Sequence, residues 1–280
     1  MSRSPSAAAR LVAAASRRTA VVLCYHGIEN RTPATDPTLL TLPPDQFRAQ
    51  IELLLGGGFR FVTVDQLVSQ RNGRSPQPGL VALSFDDGME NNYSVLLPIL
   101  AEYGIPATVY VATGLVGQRN PFLAGTRMMT HEELRTLVAH GVELGAHTVT
   151  HPFLSRLDLA TCVEEMVNSR DDLEQITGRP VKTFAYPYSA DGGYAVEAAA
   201  QVGFAAAVTS GHTKRWARFS MNRSIVKRTD TLTGFALKVW PQHDRLHGSR
   251  SGRLVRASTR RIRHSAGRGR RSRRDGRSLR

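Results

Sequence analysis

Cysteine is nearly absent from this 280-residue chain: Cys24 and Cys162 stand far apart, and their spacing offers neither a cysteine metal site nor a thiol redox centre. Cys24 lies in an apolar run and reads as an inert buried thiol. No apolar stretch approaches the roughly 18 residues that a membrane-crossing helix needs. A secretory leader is not expected either, because Arg17 and Arg18 precede only Ala20 to Tyr25, shorter than the usual apolar segment of about 7 to 15 residues, and no convincing cleavage site follows. The expectation is an unexported protein, cytoplasmic or peripherally membrane-associated. Internal repeats are missing, and lysine is missing from Arg245 onward.

What stands in that last segment is arginine. Fourteen of the 37 Lys and Arg lie there against a single acid, Asp275, which leaves 23 basic and 22 acidic residues in the remainder. The net charge of +14 therefore belongs to the tail, and the rest of the chain is close to neutral. With only scattered Leu246, Leu254, Val255 and Ile262, residues 241–280 predict a disordered arm. Without interleaved aromatics it suits salt-sensitive attachment to a polyanion: an anionic membrane surface, nucleic acid or an acidic glycan. Residues 1–19, rich in Ala, Ser and Arg, read as a flexible arm, and residues 20–240 as the folded unit.

In that unit strands and helices alternate. Val21 to Tyr25, Phe61 to Val64, Leu80 to Phe85, Ala107 to Val111, Val142 to Ala146, Lys182 to Tyr186 and Phe204 to Thr209 read as strands. Helices are predicted from Pro44 to the Gly56-Gly57-Gly58 stop, near Asn91 to Tyr103, after the Thr130/Glu133 capping box, from Asp158 to Thr177, and from Tyr194 to Val202. Strand–helix alternation with short connections predicts an α/β fold, a distorted (β/α) barrel of about seven parallel strands.

Reactive residues collect where these strands end, the place at which loops of a parallel barrel converge. Ser84-Phe85-Asp86-Asp87-Gly88 ends one strand on two adjacent carboxylates, an arrangement that serves either as an acidic turn and helix start or as a site. His147-Thr148-Val149-Thr150-His151 ends another, Tyr186-Pro187-Tyr188 a third, and Tyr25-His26-Gly27 the first. Two histidines and one carboxylate from a different strand form a normal three-ligand catalytic metal site. Because successive extended residues point opposite ways, only one aspartate can face the metal, and the other is placed to take a proton from metal-bound water. His26 is the candidate acid for the leaving group.

The three segments Ser84 to Gly88, His147 to His151 and Phe184-Ala185-Tyr186-Pro187-Tyr188, in that order, resemble the first three motifs of the polysaccharide deacetylases of carbohydrate esterase family 4, over roughly residues 20 to 240. The resemblance implies a distorted barrel that removes acetyl groups from an N-acetylated glycan or its precursor, such as one built of N-acetylglucosamine. It implies a divalent metal, Zn²⁺ first with Co²⁺ or Ni²⁺ as alternatives. By position Asp86 is the general base, Asp87, His147 and His151 are the metal ligands, and the Tyr188 backbone N–H is an oxyanion donor. Leu23-Cys24-Tyr25-His26 resembles the permuted arrangement of the poly-N-acetylglucosamine deacetylase branch, which makes His26 the acid.

Two departures bear on the site. Ala185 occupies a position where many members have Arg, so the ion pair orienting Asp86 must come from elsewhere; Arg223 is the candidate, with Asp230 as a possible partner of its own. Ser189 replaces a common glycine. Other readings share some of these residues. A non-haem iron oxygenase uses two His and a carboxylate but assigns no role to the second Asp or to His26, and a non-catalytic glycan-binding protein would make the polyanion-binding tail its working part.

Overall fold

Seven short parallel strands lie side by side and close on themselves: β1 (Val21–Tyr25), β2 (Leu80–Phe85), β3 (Thr108–Val111), β4 (Glu143–Ala146), β5 (Thr183–Ala185), β6 (Ala206–Ser210) and β7 (Ser220–Ile225). The computed structural model describes residues 6–72, 75–210 and 216–240. Closure comes through β1, where Leu23 faces Leu83 of β2 on one side and Ser224 of β7 on the other. The barrel is distorted at β2. Its lower half pairs with an extra strand, Arg60–Val62, while its upper half pairs with β3.

Alternation along each strand separates two cores. Val22, Ala82, Tyr110, Ala185, Val208 and Met221 fill the lumen. Leu23, Leu83, Val109, Leu144, Phe184 and Ala207 face outward into the helical layer. The same parity carries polar side chains into the lumen near the strand exits, because Ser84 and Asp86 continue the Ala82 face, Arg223 the Met221 face and Ser210 the Val208 face. Room in the lumen is made at Gly145, where an added Cβ would stand 2.3 Å from Cε1 of the Tyr110 ring.

The helices are α1 (Ala7–Ser16), α2 (Pro44–Gly56), α3 (Val64–Ser69), α4 (Leu97–Tyr103), α5 (His131–Ala139), α6 (Leu159–Thr177), α7 (Ala195–Val202) and α8 (Leu232–Val239), of which α3 packs Val64 and Leu67 into the lumen core. α5 opens on the expected box: the Thr130 side chain accepts the Glu133 N–H and Glu133 accepts the Thr130 N–H. No helix of the described residues is long and apolar enough to cross a membrane.

Three expectations are corrected. Residues 7–16 are not a loose arm. They form α1, with Ser6 accepting the Ala9 N–H at 3.2 Å, Ala8, Val12 and Ala15 buried, and Ser16 donating to Gly57 O at 2.8 Å. An Ala-rich segment pays little side-chain entropy as a helix and needs only such a seat. Residues 63–64 do not extend the neighbouring strand, because Thr63 caps α3 in a second capping box with Gln66. The seventh barrel strand is therefore β7, whose sequence Ser-Met-Asn-Arg-Ser-Ile hides its period by placing Arg223 inside. The predicted tail, 241–280, lies outside the described residues.

Candidate active site

The exits of β1, β2, β4 and β5 deliver His26, Asp86, Asp87, His147, His151 and Tyr188 to the walls of one cavity of about 500 Å³. Asp86 and Asp87 then part company. Asp86 keeps the lumen direction of β2, whereas Asp87 sits in the left-handed region, φ 76°, and its side chain swings toward the histidines. Backbone strain gathers here. The non-glycine residues with positive φ among the described residues are Leu39, Asp87, Thr148, His151, Tyr188 and Ser189, all of them in or beside the cavity wall. Each costs on the order of 1–3 kcal/mol, which a structure sustains where side chains must be aimed. Ser189, at φ 56°, takes up the conformation for which glycine is the easier residue.

Asp87 Oδ1 lies 3.5 Å from His147 Nε2 and 3.3 Å from His151 Nε2. The three donor atoms are within 4.8 Å of one another, and this is the sole such cluster among the described residues. Bonds of about 2.0–2.2 Å in a tetrahedral arrangement place neighbouring donors about 3.3–3.5 Å apart, so the set fits a divalent ion such as zinc. His147 Nδ1–H donates to Ala185 O at 2.7 Å, which leaves its Nε2 lone pair facing Asp87. Burial lowers the His151 pKa against the pull of Asp87, keeping the imidazole in the neutral form that metals bind. Burial opposes ionisation of Asp87, but the neighbouring His147 and His151 outweigh it and hold the carboxyl far below its usual range.

Glu165 of α6, which no sequence pattern singled out, ties the ligand loop together. Its carboxylate accepts the Val149 and Thr150 N–H groups at 2.8 and 2.9 Å and the Thr150 hydroxyl at 2.7 Å. Aromatic rings enclose His151, with Phe122 at 4.7 Å and Tyr188 at 4.6 Å between centroids.

Asp86 belongs to a different assembly. Arg223 Nη1 and Nη2 donate to its Oδ1 and Oδ2 at 2.6 and 2.7 Å, a bidentate pair of residues only 5% and 2% exposed. Burial would raise the Asp86 pKa, but the Arg223 charge, then His147 and the Arg223 hydrogen bond, hold it below the usual carboxylate range. Arg223 thus stands where the sequence placed it, as the partner of Asp86. Asp230 does not join it; that carboxylate pairs with Lys238 and accepts the Lys227 N–H, because it lies beyond β7 in the loop that α8 closes. Cys24 is not an idle core thiol either. Its Sγ lies 3.6 Å from Asp86 Oδ2, and burial keeps it protonated, so that it donates. His26 lines the same cavity apart from the three donors, its carbonyl held by Asn92 Nδ2 at 2.9 Å.

One cavity thus holds a three-donor cluster suited to a metal, with an arginine-paired carboxylate one residue away in the chain. Residues 73–207 match the family model described as polysaccharide deacetylase. Over that stretch the chain is similar to polysaccharide deacetylases. Its sequence is 31% identical over 153 residues to the poly-beta-1,6-N-acetyl-D-glucosamine N-deacetylase of Staphylococcus aureus, covering 51% of this chain and 52% of that protein. It is 24% identical over 190 residues to YxkH of Bacillus subtilis, covering 68% of this chain and 63% of that one. The chain therefore spans between half and two thirds of the length of these relatives. Among solved structures the chain is similar to Streptococcus pyogenes PplD, solved with acetate, at TM-score 0.69 and 25% identity over 79% of this chain and 98% of that one. IcaB from Ammonifex degensii is comparable, at TM-score 0.67 and 25% identity over 79% and 97%.

Proposed function

We propose that this domain hydrolyses the N-acetyl groups of a glycan containing N-acetylglucosamine, using a divalent metal, zinc by preference, held by Asp87, His147 and His151. The observation that carries the proposal is the division of labour between adjacent aspartates. Asp87 shares a donor cluster with two histidines, and Asp86 is locked by Arg223 beside it. A divalent ion in that position supplies Lewis-acid chemistry, drawing charge from the acyl oxygen and acidifying water.

The residues of the chain do the rest. Asp86 takes the proton of the attacking water, whose oxygen bonds to the acetamide carbon. The Tyr188 peptide N–H donates to the acyl oxygen as that atom gains charge. His26 delivers a proton to the nitrogen as the C–N bond breaks, and acetate and a free amine leave. The oxygenase reading shares the three donors but gives Asp86 and Arg223 nothing to do.

The test uses β-1,6-linked N-acetylglucosamine oligomers, suggested by the Staphylococcus aureus relative, beside chitin oligomers. Acetate and free amine should appear in equal amounts with Zn²⁺, cease on chelation and return when Zn²⁺ is restored. No acetate from either oligomer would refute the proposal, and acetate from an O-acetylated glycan in its place would transfer the activity to O-acetyl groups.

A further inference from the structure

The loop after β5 carries two successive non-glycine residues in the left-handed region, Tyr188 (φ 56°, ψ 14°) and Ser189 (φ 56°). An L-residue pays on the order of 1–2 kcal/mol for each such position. Two backbone bonds close the turn, Ser189 N–H to Tyr186 O at 3.0 Å and Ala190 N–H to Pro187 O at 3.0 Å. Neither sets how the turn sits on the barrel.

The Thr209 hydroxyl of β6 ties Ser189 O to the barrel at 3.4 Å, and the segment after His151 grips the turn as well. The Phe153 ring stacks flat on Tyr188, with centroids 3.9 Å apart and planes 9° from parallel. The Arg156 guanidinium covers Phe153 at 4.6 Å from its centroid. Five residues beyond Tyr188, Gly193 (φ 59°) lies so close to the same turn that an added Cβ would meet Ser155 O at 3.1 Å. One turn therefore grips both the ring of Tyr188 and the backbone of its loop. Yet Phe153 is 40% exposed and Tyr188 52% exposed, more than a pair serving the core would be. The stack therefore adds little to the core, and it joins the Tyr188 ring to the turn that also meets Gly193.

We propose that Phe153 is a positioning residue that holds the Tyr188 peptide in its left-handed conformation and aims its N–H at the reacting acyl oxygen. The inference rests on the deacetylase reading, in which that N–H meets the charge developing in the transition state. Removing an oxyanion donor outright costs about 10²–10³ in kcat. Phe153→Ala, which loosens the donor without deleting it, should lower kcat on the oligomer about 10–100-fold. KM and zinc affinity should stay within about threefold of wild type, because ground-state binding and the metal ligands are untouched. Phe153→Tyr, which keeps the stack, should restore kcat. Hydrogen exchange at the amides of residues 188–190 should quicken in Phe153→Ala alone, a readout that needs no turnover.

Unchanged kcat in Phe153→Ala would overturn the inference. So would a raised KM with normal kcat, the mark of a direct sugar contact, or a parallel loss of zinc affinity, the mark of a prop for His151. If the wild-type protein released no acetate, the deacetylase reading would fall, and with it the donor's role; unchanged amide exchange would separately remove Phe153 from the loop's geometry.

Discussion

Asp86→Asn should lower acetate release by about 10²–10⁴-fold, the range a positioned proton-transfer group contributes. Asparagine preserves size and can accept one hydrogen bond from Arg223, but it cannot take a proton from water. Its amide N–H₂ would also face a guanidinium N–H where the carboxylate now accepts at 2.6 and 2.7 Å. The variant leaves Asp87, His147 and His151 in place, so metal affinity should survive the loss of rate. Rates are measured on the oligomer with zinc saturating and with thermal melts to show that the protein is folded. A rate within tenfold of wild type would remove Asp86 from the role of base.

Arg223→Met should be the most damaging change to stability. It strands Asp86, 5% exposed, without its counter-ion, and breaking a buried pair from one side costs about 3–5 kcal/mol near neutral pH. The penalty should depend on pH with a definite sign. In the native protein the Asp86 pKa is held below its unfolded value of about 3.9, so its pairing stabilises above that pH and is lost as pH falls through the folded value. In the variant, burial acts without Arg223 and raises the pKa, so the variant loses stability as pH rises from about 4. The gap between the two proteins in urea midpoint should open from pH 4 to pH 7. A gap of equal size at both would mean that the cost comes from packing and not from the stranded charge.

The parts of the site legible in the sequence are those set by strand periodicity. Ser84 and Asp86 continue the lumen face of Leu80 and Ala82, and the strand exits gather the histidines. Asp87 escapes that rule because its left-handed backbone turns it to the ligand side, which alternation alone cannot foretell. Arg223 was found by the need for a partner to Asp86, although its strand was not, since a lumen-facing arginine breaks the apolar period by which strands are recognised. The pairing of Asp230 escapes the sequence because proximity says nothing of Lys238, in the last turn of the helix that follows. Glu165 and Phe153 gave no signal. One acts by hydrogen bonds to a loop sixteen residues before it and the other by stacking on a ring 35 residues away, and neither contact leaves a local pattern.

The account stands on two neighbouring aspartates doing unlike work, and equilibrium zinc binding to the purified protein reads that division without any substrate. Wild type and Asp86→Asn should each bind one zinc ion per chain with similar affinity, while Asp87→Asn and His151→Ala should bind it weakly, by 100-fold or more (about 2.7 kcal/mol). Zinc affinity that falls in Asp86→Asn and holds in Asp87→Asn would contradict it.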